Sequence, residues 1–412
     1  MRQPIFLLLF AFGALRAGAQ QRDLDFFLTN ALANNPLLQD LQNQVAASRI
    51  DSLRLRASLG PQLNANAEGL LAPTFGGWGY DYALTNGGLA TAVVSASQPI
   101  VGRENSAAQA ENITLQARAA QNSAKTTAQD LRRSITAQYL TAYGDRQQAD
   151  FNRSTLDLLH REAAVLKQLT ETGVYRQTDY LIFLTTVQQQ ELLVQQLDNQ
   201  WRNDLSALNY QCGITDTAAT TLADPALALQ QPPQPSESAF FESYRLDSLT
   251  LRNNDALIDF SYRPRASIVA DAGFNSAFTS KGYRNFGVSA GVSLTVPIYD
   301  GRQRRLQHDK TAIAEHTRVG YARYFEQQYQ QQIALLNQQL NQADQLIDQT
   351  AAQIKYSRTL LEANGKLLHT GDVRIADYLL ALNTYLSAQN LLTQQQTARL
   401  QIINQLNYWS LK

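Results

Sequence analysis

The sequence predicts a mainly α-helical fold with four short β-strands, in which long helices pack as a coiled-coil barrel. Two observations lead to this prediction. The chain repeats itself, because Thr172-Gly173 and Thr370-Gly371 open two Gln-rich segments 198 residues apart that both end in Leu-Asn-Tyr. Along each copy, the apolar residues also change from helical spacing to alternation and back. A repeat at one fixed offset sets the organisation of the chain before any local motif is considered.

The repeat predicts four parts. Residues 1–19 are predicted to be a secretory signal peptide, since an apolar run precedes the small residues Ala17-Gly18-Ala19. Residues 20–212 form the first structural repeat and residues 239–412 the second, each with a helix, two strands, a long helix and a further helix. Residues 213–238 carry four prolines and are predicted to be a linker or strap.

Three helical segments are predicted in each copy, and the middle one is unusually long. At 1.5 Å per residue, each long segment could reach about 100 Å, which exceeds the helices of ordinary domains. Such helices must bury a narrow stripe against parallel neighbours, as in a coiled coil or a hollow helical tube. The predicted helices are Asp23–Leu59, Asn105–Glu171 and Thr178–Tyr210 in the first copy, and Glu237–Pro264, Arg302–Leu368 and Ile375–Trp409 in the second.

Alternation of apolar and polar residues predicts two strands in each copy. The runs cover residues 63–71 and 90–98, and then 266–275 and 286–296. Nine or ten alternating residues bounded by turns match a transmembrane β-strand, although a hairpin packed on a soluble core would alternate in the same way. The residues predicted to face lipid are Val288, Val292, Leu294, Ile268 and Phe274.

Four strands in one chain would leave two open edges, and unpaired backbone groups are costly in lipid. Two copies would supply eight strands and three copies twelve. The residues on the other side of the last strand, Ser289, Ser293 and Thr295, are small and polar, which suits an open aqueous lumen. The sequence therefore favours a trimer that closes a twelve-stranded barrel.

The composition argues against several other classes of protein. The 35 basic residues balance the 35 acidic ones, so no electrostatic case exists for binding nucleic acid. The four histidines make no pair at metal-ligand spacing, and no H-E-x-x-H, P-loop or nucleophile-elbow motif occurs. We therefore predict no enzyme, no catalytic residue, no cofactor and no metal. His308 and His316 are expected to be solvated on a long helix.

These patterns together resemble the TolC-like outer-membrane efflux protein family over nearly the full length. The resemblance depends on the duplicated helix–hairpin–helix order and on four local patterns: Leu32-Ala33-Asn34-Asn35-Pro36, Pro99-Ile100, Pro297-Ile298-Tyr299-Asp300-Gly301, and Gly371 to Leu379. It implies a homotrimer in the outer membrane of a Gram-negative bacterium, with a periplasmic helical tunnel. It also implies docking to an inner-membrane transporter through a periplasmic adaptor protein, contact with outer-membrane lipid, and passive conduction of exported substrate.

Two alternative functions remain open at this stage. A metal-efflux outlet would have the same fold, and a passive channel need not bind its cargo. A secreted coiled-coil structural or adhesion protein would instead pack its hairpins in a soluble core.

The resemblance also implies a gate at the helical turns. Asp377 falls where the family carries acidic rings that narrow the tunnel, and Asp179 has the same place in the first copy; both could instead compensate a helix dipole. Arg176 and Arg374 precede them by three positions and are candidates for locking pairs or for ordinary ion pairs along one helix. A second acidic ring would fall on Leu380. The candidate adaptor contacts are Gly173, Gly371, Thr172 and Thr370, which could equally be plain turn residues.

Overall fold

The computed structural model describes residues 22–81, 87–215, 220–277 and 284–412. The predicted signal peptide at residues 1–19 lies outside the described residues. In chain order the elements are α1 (Leu24–Asn34), α2 (Pro36–Ser58), β1 (Gln62–Leu71), β2 (Gly88–Ile100), α3 (Arg103–Glu171), α4 (Gln177–Gln211), α5 (Ala239–Ser261), β3 (Arg265–Ala277), β4 (Phe286–Thr295), α6 (Gln303–Thr370) and α7 (Ile375–Tyr408), with a 3-10 turn at Pro235–Glu237. The predicted mainly helical fold with one four-stranded sheet is confirmed.

Backbone contacts divide the chain into two compact units. The first contains the described residues of Met1–Pro36 together with Thr127–Pro233 and Gln330–Leu411. The second contains Leu37–Thr126, Gln234–Tyr329 and Lys412. The two sequence repeats stay a prediction, since each contact unit takes residues from both of them.

The first unit is a helical assembly, and one of its buried clusters lies between α1, the second part of α3 and α4. Phe27 and Tyr139 are fully buried there, with ring centroids 5.7 Å apart. A polar layer joins α3, α4 and α7, because Gln190 donates to the Asn152 side chain at 3.0 Å and Asn152 donates to Asn390 of α7 at 3.1 Å. Buried amides paired in this way fix the register of packed helices at some expense of stability.

The proline-containing connector is bound to the helices of the first unit at two points. The Tyr139 hydroxyl donates to the backbone oxygen of Ala223 at 2.7 Å. Further along, the Asn407 side chain donates to the Ala228 carbonyl at 2.8 Å and accepts from the Gln230 amide at 2.7 Å. Over these residues the connector therefore lies against the helices as a strap.

The second unit contains the antiparallel sheet, with strand order β1-β2-β3-β4. Ile268 lies opposite Val292, and Ser267 lies opposite Ser293. Since directly opposed residues share a face, the register places most of the apolar residues of the strands on one side and most of the polar residues on the other. Between described residues, β1 and β4 each pair on one side alone, so both remain edge strands.

Two boundaries differ from the prediction, and one side chain has partners that the sequence did not predict. The predicted helix Asp23–Leu59 is broken at Asn35, because a residue before proline is forced out of the helical conformation. Strand β2 continues through Pro99, beyond the point where β1 pairs with it, so Pro99 lacks a strand on that side and its missing N–H is tolerated. His308 was expected to be solvated; its side chain is partly exposed, and it also bridges two carboxylates of α5, with Nδ1 3.0 Å from Asp255 and Nε2 2.8 Å from Asp259.

Among the described residues, no helix combines the length and the apolar character needed to cross a membrane.

Candidate functional sites at the helical turns and on the sheet

The turn between α3 and α4 requires a glycine. Gly173 has φ +81°, in the left-handed region that other residues enter only with strain. The Val174 amide donates to the Leu169 carbonyl at 2.9 Å, so the turn closes the end of α3. The Thr172 hydroxyl donates to the Gln168 carbonyl of the same helix at 3.2 Å.

The turn between α6 and α7 has the same geometry. Gly371 has φ +82°, and the Asp372 amide donates to the Leu367 carbonyl at 2.9 Å. The Thr370 hydroxyl also donates to the Leu367 carbonyl, at 3.1 Å. The predicted turn residues Thr172, Gly173, Thr370 and Gly371 therefore all lie at the ends of helices. Each threonine hydroxyl is hydrogen-bonded within its own helix.

The two turns lie against each other. A Cβ atom placed on Gly371 would overlap Cγ1 of Val174, so a larger residue at this position would displace the Val174 side chain from the second turn. The Tyr175 hydroxyl lies 2.8 Å from the Val373 carbonyl oxygen and 3.2 Å from that of Leu368. These contacts join the turn of the α3–α4 pair to the turn of the α6–α7 pair within a single chain.

Two further interactions tie the helices together beside the turns. His369 Nε2 of α6 lies 2.8 Å from Glu162 Oε2 of α3. Phe183 of α4 stacks on Tyr378 of α7, with ring centroids 6.2 Å apart, inside a cluster of buried side chains. Tyr175, His369 and Glu162 carry no signal in the sequence, because no motif or spacing links partners about 200 residues apart.

The four charged candidates form two unlike arrangements. Arg374 and Asp377 make a two-pronged ion pair, with Nε at 2.8 Å and Nη2 at 3.1 Å from the two carboxylate oxygens. Asp179 instead accepts from the backbone amide of Arg176 at 3.3 Å, as a helix-capping residue does. In the described part of the chain, the Arg176 guanidinium makes no ion pair with Asp179. Both copies carry Arg and Asp at the same spacing, but the second forms an ion pair and the first a helix-capping hydrogen bond.

Leu380 lies three residues after Asp377, so both side chains lie on the same side of α7. Its side chain is 67% exposed in the single chain, and Ile182, which has the equivalent position on α4, is 54% exposed. Large apolar side chains therefore stand at both positions that follow Asp179 and Asp377 by three residues.

The five lipid-facing candidates lie together on the apolar face of the sheet. Val292 is opposite Ile268, and the side chains are 71% and 51% exposed. Phe274 is opposite Phe286, and their rings meet edge to face at 5.3 Å. Val288 and Leu294 continue the same face and are 79% and 65% exposed.

The opposite face of the sheet carries most of its polar residues. There the Ser289 hydroxyl donates to Asp271 at 3.3 Å. Two faces of opposite character are what a sheet between lipid and water requires. Among the described residues, no group of three or more His, Cys, Asp or Glu side chains could hold a metal ion.

Comparison with solved structures identifies the fold. A membrane protein from Pseudomonas aeruginosa matches with a TM-score of 0.78 at 18% identity, over 94% of this chain and 90% of that one. The outer membrane protein VceC of Vibrio cholerae matches with a TM-score of 0.75 at 14% identity, over 94% and 96%. The MtrE outer membrane channel of Neisseria gonorrhoeae matches with a TM-score of 0.73 at 15% identity, over 94% and 88%.

Comparisons of the sequence give a different result. No protein-family model matches the chain, and no curated protein does so. The likeness therefore lies in the three-dimensional arrangement: the chain has the fold of the TolC-like outer-membrane channels.

Proposed function

We propose that this protein is the outer-membrane channel of a tripartite efflux or type I secretion system. It conducts exported substrate passively from a pump and adaptor to the outside, and it carries out no chemical reaction. The observation that carries the proposal is the sheet, which has one exposed apolar face, one polar face and two edges without a partner strand in the described residues. The shared fold supports the same conclusion.

The proposed assembly is a homotrimer. Edge strands β1 and β4 would pair between neighbouring copies, and three sheets of four strands would close a barrel of twelve. Closure removes the open edges that lipid does not tolerate. Val292 and the other residues of the apolar face would then contact outer-membrane lipid, and Asp271 would line the lumen.

The proposed gate lies at the helical turns. In a trimer, three Asp377 side chains would approach one axis, each held by Arg374 of its own chain at 2.8 Å. Asp179 and Arg176 would stabilise the first turn. The exposed turn residues Gly173, Thr172 and Thr370, together with the half-buried Gly371, would contact the periplasmic adaptor. The docking of Tyr175 on the second turn would hold the resting state.

Conductance tests this proposal. Purified protein is inserted into planar bilayers, and the wild type is compared with the Asp377→Ala and Asp179→Ala variants. We expect discrete channels, a clearly larger conductance for Asp377→Ala, and little change for Asp179→Ala because that side chain caps its own helix. Failure to form channels, together with release of the protein from membranes by alkaline carbonate, would contradict the proposal and favour a soluble coiled-coil protein.

A further inference from the structure

A cleft of about 690 Å³ lies in the second unit, where β2 passes into α3 and α5 passes into β3. Three arginines line it: Arg103 is the first residue of α3, and Arg263 and Arg265 flank the proline between α5 and β3. We call it the arginine cleft. Its one acidic lining residue is Glu104, so the described lining carries a net charge of +2.

The three arginines are not equivalent. Arg263 donates to Glu104 at 3.3 Å and lies over the Phe260 ring, with its guanidinium carbon 4.5 Å from the ring centroid. Arg103 and Arg265 make neither an ion pair nor a side-chain hydrogen bond within the part of the chain that the structure describes. Two guanidinium groups in one cleft without an ion-pair partner in the described residues favour an anion, and their planar forks match phosphate and carboxylate oxygens.

The remaining lining is apolar. Ile100, Val101, Leu257 and Phe260 form much of the wall. The cleft joins both faces of the sheet, because Ile100 lies opposite Ala266 on the apolar face, whereas Arg265 lies opposite Thr295 on the polar face. A small inorganic anion would use the arginines and leave this apolar wall in water.

We propose that the arginine cleft binds an anionic amphiphile, with its charged head at Arg103 and Arg265 and its apolar body along Ile100 and Phe260. Two sources have this chemistry. One is an anionic phospholipid, since basic pockets at the membrane surface take lipid headgroups; this source rests on the proposed function, because it requires the ends of the strands to lie at the membrane surface. The other is a free amphipathic anion; its binding requires only the cleft, and its transport as cargo rests on the proposed function.

Thermal unfolding of the full chain in a nonionic detergent tests the proposal. The added probes are dioleoyl phosphatidylglycerol, dioleoyl phosphatidylcholine, sodium decanoate and inorganic phosphate, each over a range of concentrations. Ligand that binds the native state raises the unfolding midpoint with its concentration. We expect phosphatidylglycerol or decanoate to raise the midpoint by a few degrees, and phosphatidylcholine and inorganic phosphate to raise it less. A shift with phosphatidylglycerol alone assigns the lipid source, and a shift with decanoate assigns the cargo source.

The variants connect the shift to the cleft. Arg103→Gln/Arg265→Gln should lose most of the shift, and each single substitution should lose part of it if the double variant does not assemble. Arg49→Gln/Arg323→Gln removes two exposed charges outside the cleft and should keep the full shift. Equal shifts in both double variants, an equal shift with inorganic phosphate, or no shift with any probe would each overturn the proposal.

The same preparations separate this inference from the proposed function. A protein that needs detergent for extraction and conducts ions, yet shows no probe-dependent shift, contradicts only the arginine cleft. A protein that carbonate releases from membranes, and that decanoate still stabilises through Arg103 and Arg265, contradicts the membrane function and leaves the cleft in place.

Discussion

The hydroxyl of Tyr175 lies 2.8 Å from the backbone oxygen of Val373, so the turn of one helical pair is hydrogen-bonded to the turn of the other. The two residues are 198 positions apart. This bond, together with the contact between Val174 and Gly371, holds the two helical pairs together at the point where the proposed gate lies.

Removal of this hydroxyl should loosen the second turn. A hydrogen bond of this kind contributes about 1 kcal/mol, which corresponds to roughly a fivefold change in a local opening equilibrium. For Tyr175→Phe we therefore expect amide hydrogen exchange in residues 371–374 to accelerate about fivefold. Tyr321→Phe, at a side chain 64% exposed on α6, is the control. Unchanged exchange in Tyr175→Phe would show that the bond does not hold the turn.

The two turn glycines should respond differently to the same substitution. Gly173→Ala and Gly371→Ala both force a left-handed backbone on alanine, at a cost of about 1–2 kcal/mol. Around Gly173 the added methyl group meets no atom within 4 Å, whereas at Gly371 it overlaps Val174. Gly371→Ala should therefore lower the free energy of unfolding more than Gly173→Ala does, as measured by denaturant titration. Equal losses would mean that Val174 moves away freely.

The apolar face of the sheet can be tested with a charge. Val292→Arg should destabilise the assembled protein by roughly 2–4 kcal/mol, as arginine does at the midplane of a membrane strand. Ser293→Arg, one residue along on the polar face, is the matched control and should assemble. The measurement is the amount of trimer in isolated outer membranes. Normal amounts of the Val292→Arg protein would show that this face does not contact lipid.

His308 should make stability depend on pH. Hydrogen bonds to Asp255 and then to Asp259 raise the pKa of His308 above its ordinary value of 6.5. A raised pKa in the folded state means that the contribution to stability is complete below pH 6.5 and is lost as the pH rises through the raised value. His308→Gln should lower the unfolding midpoint at pH 6, and the difference from wild type should shrink toward pH 9. His316→Gln is the control. A difference between His308→Gln and wild type that stays the same at every pH would contradict the assignment.

The carboxyl pair Asp145 and Asp204 should also make the protein less stable as the pH rises, in this case through a buried carboxyl group. Burial, then the hydrogen bond to Asp204 and its negative charge, raise the pKa of Asp145 to about 7. The unfolded chain releases this proton near pH 4, so wild-type stability should fall between about pH 4 and pH 7. Asp145→Asn should remove that fall and gain about 1–2 kcal/mol at pH 8 after allowance for solvent screening. Asp157→Asn, on the exposed side of α3, should not change the stability at pH 8. A gain equal to that of Asp145→Asn would contradict the pairing of Asp145 with Asp204.

The sequence allowed most of the fold to be predicted, because each element has a local signal. Alternation in residues 286–296 placed β4 to within one residue at its end, and the absence of proline predicted both long helices. The break at Asn35 was missed, although Pro36 marks it, because apolar spacing continues across it.

The site was predicted less completely. The glycines of the turns and the Arg374–Asp377 pair have short-range patterns, and the structure brings that pair together. The bond from Tyr175 to Val373 and the bridge from His308 to Asp255 and Asp259 join segments far apart in the chain. Such partners are set by packing, and a single sequence carries no local trace of them.

The most direct test of this account is the protein mass of the complex after detergent extraction from outer membranes. A value three times the mass of the mature chain is the expected result, since three sheets of four strands close the proposed barrel. A monomer released without detergent would contradict the membrane channel, although the helices and the repeated turns would remain as described.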